Sequence, residues 1–118
     1  MKMYDDVVKF IEASDQSKTI DNEMLYRVLI DEEYSEWCAA TDLRNNVEDL
    51  DACMDMIWVI LGYCYMKGWD VNGAWNEVAR SNHAKIDPTT GKVRKREDGK
   101  VLKPDGWTPP ELEKYLNK

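Results

Sequence analysis

Leu29-Ile30-Asp31-Glu32-Glu33-Tyr34-Ser35-Glu36 and, further along, Glu48-Asp49-Leu50-Asp51-Ala52-Cys53-Met54-Asp55 decide how this 118-residue chain folds. At about 100° per residue along an α-helix, Leu25, Val28, Leu29, Glu32, Glu36 and Ala39 fall on one face. Two carboxylates therefore interrupt an apolar stripe. The second run repeats the pattern: Asp51 and Asp55, about 40° apart by the same geometry, share their face with Val47, Met54, Trp58, Gly62 and Tyr65. An ionised carboxylate turned toward a core needs a cation or a full set of donors, and several converging carboxylates also repel one another. A hard divalent cation resolves both difficulties. Mg²⁺ and Mn²⁺ take oxygen ligands, and Mg²⁺ keeps waters that phosphate oxygens can replace. The pattern predicts two antiparallel helices holding Mg²⁺, with Mn²⁺ as an acceptable substitute, for work on a phosphate. The competing interpretation is an ordinary solvated acidic surface, common in a chain that is 33% charged; the projection onto apolar faces speaks against it.

Composition narrows the class. A net charge of −7 makes duplex nucleic acid and anionic membranes poor partners. The longest apolar run, residues 56–66, falls short of the ~20 residues that span a bilayer. Residues 1–10 lack the basic start and apolar stretch of a signal peptide. Cys38, Cys53 and Cys64 are odd in number and lack metal-type spacing, which points to reduced thiols and a cytoplasmic location. One domain is expected over 1–118, with a helical core at about 2–82 and a hairpin or extended tail at about 83–118. A domain this small gains from self-association, as a homodimer or homotetramer.

In order along the chain, Met3, Val7, Val8, Phe10 and Ile11 predict a short amphipathic helix over 2–13. A second helix is expected over 22–41, capped by Asp21 or Asn22, and a third over 47–67, capped by Asn45 or Asn46. The third is apolar almost all round from 56 to 66, as expected of an element touched by several neighbours, another subunit among them. Gly68 supplies its stop. A fourth helix runs to about 81 with Val71, Ala74, Trp75, Val78 and Ala79 on its apolar side. Beyond it come the turn Asp87-Pro88-Thr89-Thr90-Gly91, a hairpin signal at Asp98-Gly99 between Val93 and Val101, and a last helical turn over 109–116. The whole reads as an all-α, four-helix-bundle type of fold with a C-terminal hairpin or tail.

Other chemistries lack their residues. A di-iron bundle needs paired Glu-x-x-His motifs, and the chain has a single histidine, His83, with Arg80 rather than Glu three residues before it. One histidine builds neither a typical zinc site nor a Ser-His-Asp triad.

Arg27-x-Leu29-Ile30-x-Glu32-Glu33-x-x-Glu36 followed by Glu48-x-x-Asp51-x-x-x-Asp55-x-x-x-Val59 resembles the all-α nucleoside triphosphate pyrophosphohydrolases, the MazG-like and phosphoribosyl-ATP pyrophosphohydrolase-like proteins. Their signature is ExxE and then ExxD on the next helix. Glu77-x-x-Arg80-Ser81-Asn82-x-x-Lys85, Asp98-Gly99-Lys100-Val101-Leu102-Lys103-Pro104 and Trp107-x-Pro109-Pro110-x-Leu112 resemble the small phage and bacterial branch. Three separated motifs in order are more specific than ExxE alone.

The resemblance implies Mg²⁺-dependent cleavage between the α and β phosphates of a nucleoside triphosphate, giving a monophosphate and pyrophosphate. It maps ExxE onto Glu33 and Glu36. ExxD falls on Glu48 and Asp51, or the site is completed by Asp51 and Asp55, with Ala52 where a second acid of that spacing is expected. Glu33, Glu36 and Asp51 are thus the expected catalytic acids, and Glu33, Glu36, Glu48, Asp51 and Asp55 the metal ligands. Cations must meet the polyphosphate: Lys85 with Arg80 and Asn82 first, Lys100 and Lys103 second. A non-catalytic nucleotide-binding or adaptor protein of the same fold is the alternative.

Overall fold

The computed structural model describes residues 1–117 and is all-α, with four helices and one small two-stranded sheet. It divides into two compact units, Met1–Val71 and a second from Asn72 onward, and each is described by itself.

The first unit holds α1 (Lys2–Ala13), α2 (Ile20–Asp42) and α3 (Asn46–Lys67). α1 is amphipathic and buries Val7 and Ile11, which join Tyr26, Val59 and Met66 in the core cluster. Each such side chain contributes roughly 1.5–3 kcal/mol when fully buried. Leu43, Arg44 and Asn45 connect α2 to α3, a turn so short that the two helices must pack antiparallel. The reversal is closed by the Leu43 N–H to Ala39 O and the Asn45 N–H to Ala40 O, both at 3.0 Å. Asn45 caps α3 as expected, its side chain accepting from the Glu48 N–H, and Gly68 ends it at φ +75°.

α2 begins earlier than the sequence suggests. The cap is Thr19, whose Oγ1 accepts from the Asn22 N–H at 3.1 Å, while the Asn22 side chain is drawn off to Ser17 O at 2.7 Å. The expected faces are also corrected. Glu32 is exposed, and the buried side of α2 runs through Tyr26, Glu33 and Ala40, with Glu33 half-buried. On α3 the buried line is Ala52, Val59, Gly62 and Met66, with Asp55 half-buried among them, while Ile57, Trp58 and Ile60 lie exposed. α3 packs against both α1 and α2, and Trp58, though exposed, meets Phe10 edge-on at 5.8 Å between ring centroids.

In the second unit, α4 (Val71–His83) leads to β1 (Ile86–Asp87) and β2 (Lys92–Val93), antiparallel with Ile86 opposite Val93 and Asp87 opposite Lys92. The intervening Asp87–Gly91 turn is self-bonded. Asp87 accepts from the Thr89 N–H at 2.8 Å and from the Gly91 N–H at 2.7 Å. The expected hairpin at Asp98-Gly99 forms only a single bridge, Lys95 opposite Val101. A final 3-10 turn spans Glu113–Leu116.

Candidate active site

The approach of α2 to α3 is set where Tyr26 lies against Gly62. A Cβ at Gly62 would come to 2.6 Å from Tyr26 Cδ1, so only glycine lets the ring seat there. The ring is fixed from its far end by the Tyr26 hydroxyl, which donates to Gln16 Oε1 at 2.7 Å. Glu33 follows Tyr26 by seven residues on α2, and Asp55 precedes Gly62 by seven on α3. In an antiparallel pair these offsets run the same way, by about 10 Å along the axis, so the Tyr26–Gly62 contact brings Glu33 and Asp55 to the same level of the seam.

The electrostatics agree with that placement. Burial first, then the Glu36 carboxyl beside it, then the charges of Asp55 and Asp51 push the Glu33 carboxyl up to about 7 from its ordinary 4.5. Glu33 Oε2 is sealed from water and has no hydrogen-bond partner. Ionised, that oxygen lacks a donor. Burial, with the charges of Asp51 and Glu36, raises Asp55 as well. Four acids from two helices therefore feel one another.

Next to them opens a cleft of about 250 Å³ at the end of the helix pair that carries the Leu43–Asn45 turn, lined in part by Glu36, Ala39, Ala40, Asn45, Glu48 and Asp51. Glu36 and Asp51 belong to both groupings, one with Glu33 and Asp55 on the seam, the other with Glu48 at the cleft. Glu48 stands in the first turn of α3, beside its Asn45 cap.

As a donor set these carboxylates suit a hard cation, and the orphaned Glu33 Oε2 is the atom most in need of one. Among the described residues, however, no three His, Cys, Asp or Glu side chains are gathered closely enough to hold a metal ion. The oxygens are of the right kind without forming a ready-made cage.

The predicted phosphate-binding residues lie in the second unit, where they have separate local roles. Arg80 is engaged by Glu77, Nε to Oε1 at 2.7 Å, and donates through Nη2 to Thr108 O and Pro109 O, each at 3.3 Å. Asn82 Nδ2 donates to Val78 O at 3.1 Å, and its Oδ1 accepts from Lys85 Nζ at 3.2 Å. Lys85 and Lys103 both approach the Trp107 ring, while Lys100 anchors its turn through a backbone N–H to Asp98 Oδ1 at 3.0 Å. Arg80 thus holds the chain down, and Lys85 and Lys103 are the better oriented cations. The sequence marks Trp107 only as part of a family-like motif; its bond to Ser81 O, 26 residues away, has no local signal. His83 is exposed in the last turn of α4.

The chain is thus all-α, with a pair of antiparallel helices carrying acids at their seam. The sequence profile of the phosphoribosyl-ATP pyrophosphohydrolase family matches residues 4–82, and the chain belongs to that family. No curated protein matches the chain. None of the described helices is long and apolar enough to cross a membrane.

Proposed function

We propose that this protein is a Mg²⁺-dependent nucleoside triphosphate pyrophosphohydrolase that cleaves between the α and β phosphates and clears surplus or non-standard nucleotides. The observation that supports the reading is the influence of Glu36, Asp51 and Asp55 on Glu33 across α2 and α3, with Glu33 pushed up to about 7 and one of its oxygens left without a partner. A half-buried carboxylate serving structure alone would have its sealed oxygen supplied with a donor.

In this reading Glu33, Glu36, Asp51 and Asp55 hold the cation, with Glu48 at the cleft side. When bound, Mg²⁺ supplies charge neutralisation at the phosphoryl oxygens and acidifies a water. The remaining chemistry falls to the chain itself. Without a cation Glu33 is raised by burial and like charge, and a cation held there would favour its ionised form. Glu36 and Asp51, in both groupings, orient the phosphate end. Asn82, Lys85, Lys100 and Lys103 supply donors and positive charge for the polyphosphate, and Arg80 secures the segment that carries them.

The same reading treats 1–118 as one functional domain that works in the cytoplasm, where Cys38, Cys53 and Cys64, all free, stay reduced. It also makes the protein a homo-oligomer of four-helix-bundle type. Met24, Leu25 and Val28 on α2, with Ile57, Trp58 and Ile60 on α3, are exposed apolar side chains that a second copy would cover.

Pyrophosphate release from a panel of triphosphates, phosphoribosyl-ATP included, with and without Mg²⁺, tests the proposal. Glu36→Gln and Asp51→Asn should fold normally and lose roughly 10²-fold or more in turnover, as expected when a site loses charge that stabilises its transition state. Tight triphosphate binding without any pyrophosphate release would instead support the nucleotide-binding alternative.

A further inference from the structure

Trp107-Thr108-Pro109-Pro110-Glu111 has no regular structure, and its two prolines offer no backbone N–H with which to join a sheet. Side chains and one carbonyl of α4 meet this segment instead. Arg80 Nη2 donates to Thr108 O and to Pro109 O, each at 3.3 Å. The first N–H after the prolines, that of Glu111, donates to Glu77 Oε2 at 2.6 Å. Trp107 Nε1–H donates to the backbone oxygen of Ser81, a buried residue, at 2.6 Å. Just over one turn of helix, residues 77–81, takes the place that a neighbouring strand would have.

Glu77 is the hub of these bonds. Its Oε1 accepts from Arg80 Nε at 2.7 Å, and its Oε2 accepts from Arg80 Nη2 at 3.2 Å as well as from the Glu111 N–H. The two-point contact fixes the plane of the guanidinium, and the same Nη2 reaches on to the two carbonyls. An exposed ion pair one turn apart on a helix does little by itself. Here the Glu77 side chain is only 13% exposed, and both partners extend to backbone groups 28 to 34 residues away. The Arg80 guanidinium first, then the Glu111 N–H, hold the Glu77 carboxyl down at about 2, so it stays charged across the neutral range.

Between the two joined segments lie residues 82–106, whose regular structure is the β1–β2 pair and the Lys95–Val101 bridge. α4 fixes one end of this stretch and the bonds to 107–111 fix the other. Without those bonds everything after α4 is a tethered tail, with more freedom to lose whenever a ligand orders it.

We infer that Glu77 is a positioning residue: acting through Arg80 and the Glu111 N–H, it latches 107–111 onto α4 and makes residues 82–106 a closed loop. The effect of the latch on turnover rests on the pyrophosphohydrolase reading, which places Asn82, Lys85, Lys100 and Lys103 at the substrate. The latch itself rests on the hydrogen bonds within the second unit.

Hydrogen exchange followed by NMR on the full-length protein reads the latch without substrate. Glu77→Gln replaces one accepting oxygen with an NH₂ group, and the Glu111 N–H and the Trp107 indole N–H should then exchange about tenfold faster, with amides of α2 and α3 unchanged. Arg80→Lys keeps the charge and loses the planar fork; it should open the latch as Glu77→Gln does. Glu113→Gln, at an exposed position beyond the latch, should exchange like wild type. In turnover assays Glu77→Gln should raise KM for the triphosphate about tenfold with little change in kcat, the pattern of lost binding by a group away from the reacting atoms. If Glu77→Gln does not fold, Arg80→Lys is read in the same two assays. Wild-type exchange at Glu111 and Trp107 in the variants overturns the latch, and an opened latch with unchanged KM overturns the positioning role. If wild type turns over no triphosphate, the pyrophosphohydrolase reading fails and the exchange rates alone decide the latch.

Discussion

Replacing Glu33 by glutamine keeps the shape of the side chain and removes its titration. In the metal-free wild-type protein the Glu33 carboxyl is held at about 7 against an ordinary 4.5, so about half the molecules carry it neutral at pH 7. The folded state then binds more protons than the unfolded state between roughly pH 4.5 and 7. Stability from this group is fully present below that window and is lost as pH rises through it. One proton sets a ceiling of about 1.4 kcal/mol per pH unit. Glu33 is only half-buried, and water screens its open side, so we expect a total of about 1 kcal/mol across the window. In a protein of this size that is about 4 °C in Tm. Thermal unfolding in EDTA from pH 5 to 8 should show wild type losing stability relative to Glu33→Gln as pH rises, with the variant the more stable at pH 8. Added Mg²⁺ should stabilise wild type at pH 8 more than the variant, which keeps Glu36, Asp51 and Asp55 but lacks one charged ligand. Parallel pH curves for the two proteins, or a variant that is less stable at pH 8, would refute the argument that burial among like charges governs Glu33.

Two further substitutions probe the frame that carries the acids. Gly62→Ala places a Cβ 2.6 Å from Tyr26 Cδ1; overpacking of about 1–3 kcal/mol, offset by up to about 1 kcal/mol of helix propensity, should lower the urea midpoint. Because Glu33 and Asp55 share that seam, Mg²⁺-dependent turnover should fall even where the variant is fully folded, and unchanged turnover would separate the seam from the site. Thr19→Ala removes the Oγ1 that accepts from the Asn22 N–H and should destabilise by about 1 kcal/mol, with amide exchange speeding up at Asn22 ahead of the rest of α2.

The third helix could be read from the sequence because its ends are spelled in local chemistry, an Asn cap and a glycine stop that act within a few residues of themselves. The start of α2 could not, because Asn22, the stronger cap by type, spends its side chain on Ser17 O and leaves the role to Thr19. Periodicity put Glu32 in the apolar stripe because α2 has apolar residues on several sides, Met24, Leu25 and Val28 being exposed in this chain. The buried direction is chosen by Tyr26 meeting Gly62, a contact between residues 36 apart. The seven-residue spacing of Tyr26, Glu33 and Ala40 was the available signal for it. The family motifs marked the same acids by position, and the structure adds why Glu33 has the most perturbed proton affinity of the group. In the second unit, Glu77, Arg80 and Ser81 reach partners 26 to 34 residues away. No local pattern announces such contacts.

Three residues, Leu43 to Asn45, separate the two acid-bearing helices. That connection behaves as a ruler. A residue added there would disturb the capped reversal that sets the pairing of the two helices, putting the alignment of Asp51 and Asp55 with Glu33 and Glu36 at stake. An insertion of equal size in the Asp87–Gly91 turn would lengthen only a surface loop. Length changes should therefore be tolerated at the turn between the strands and selected against at the bend between α2 and α3.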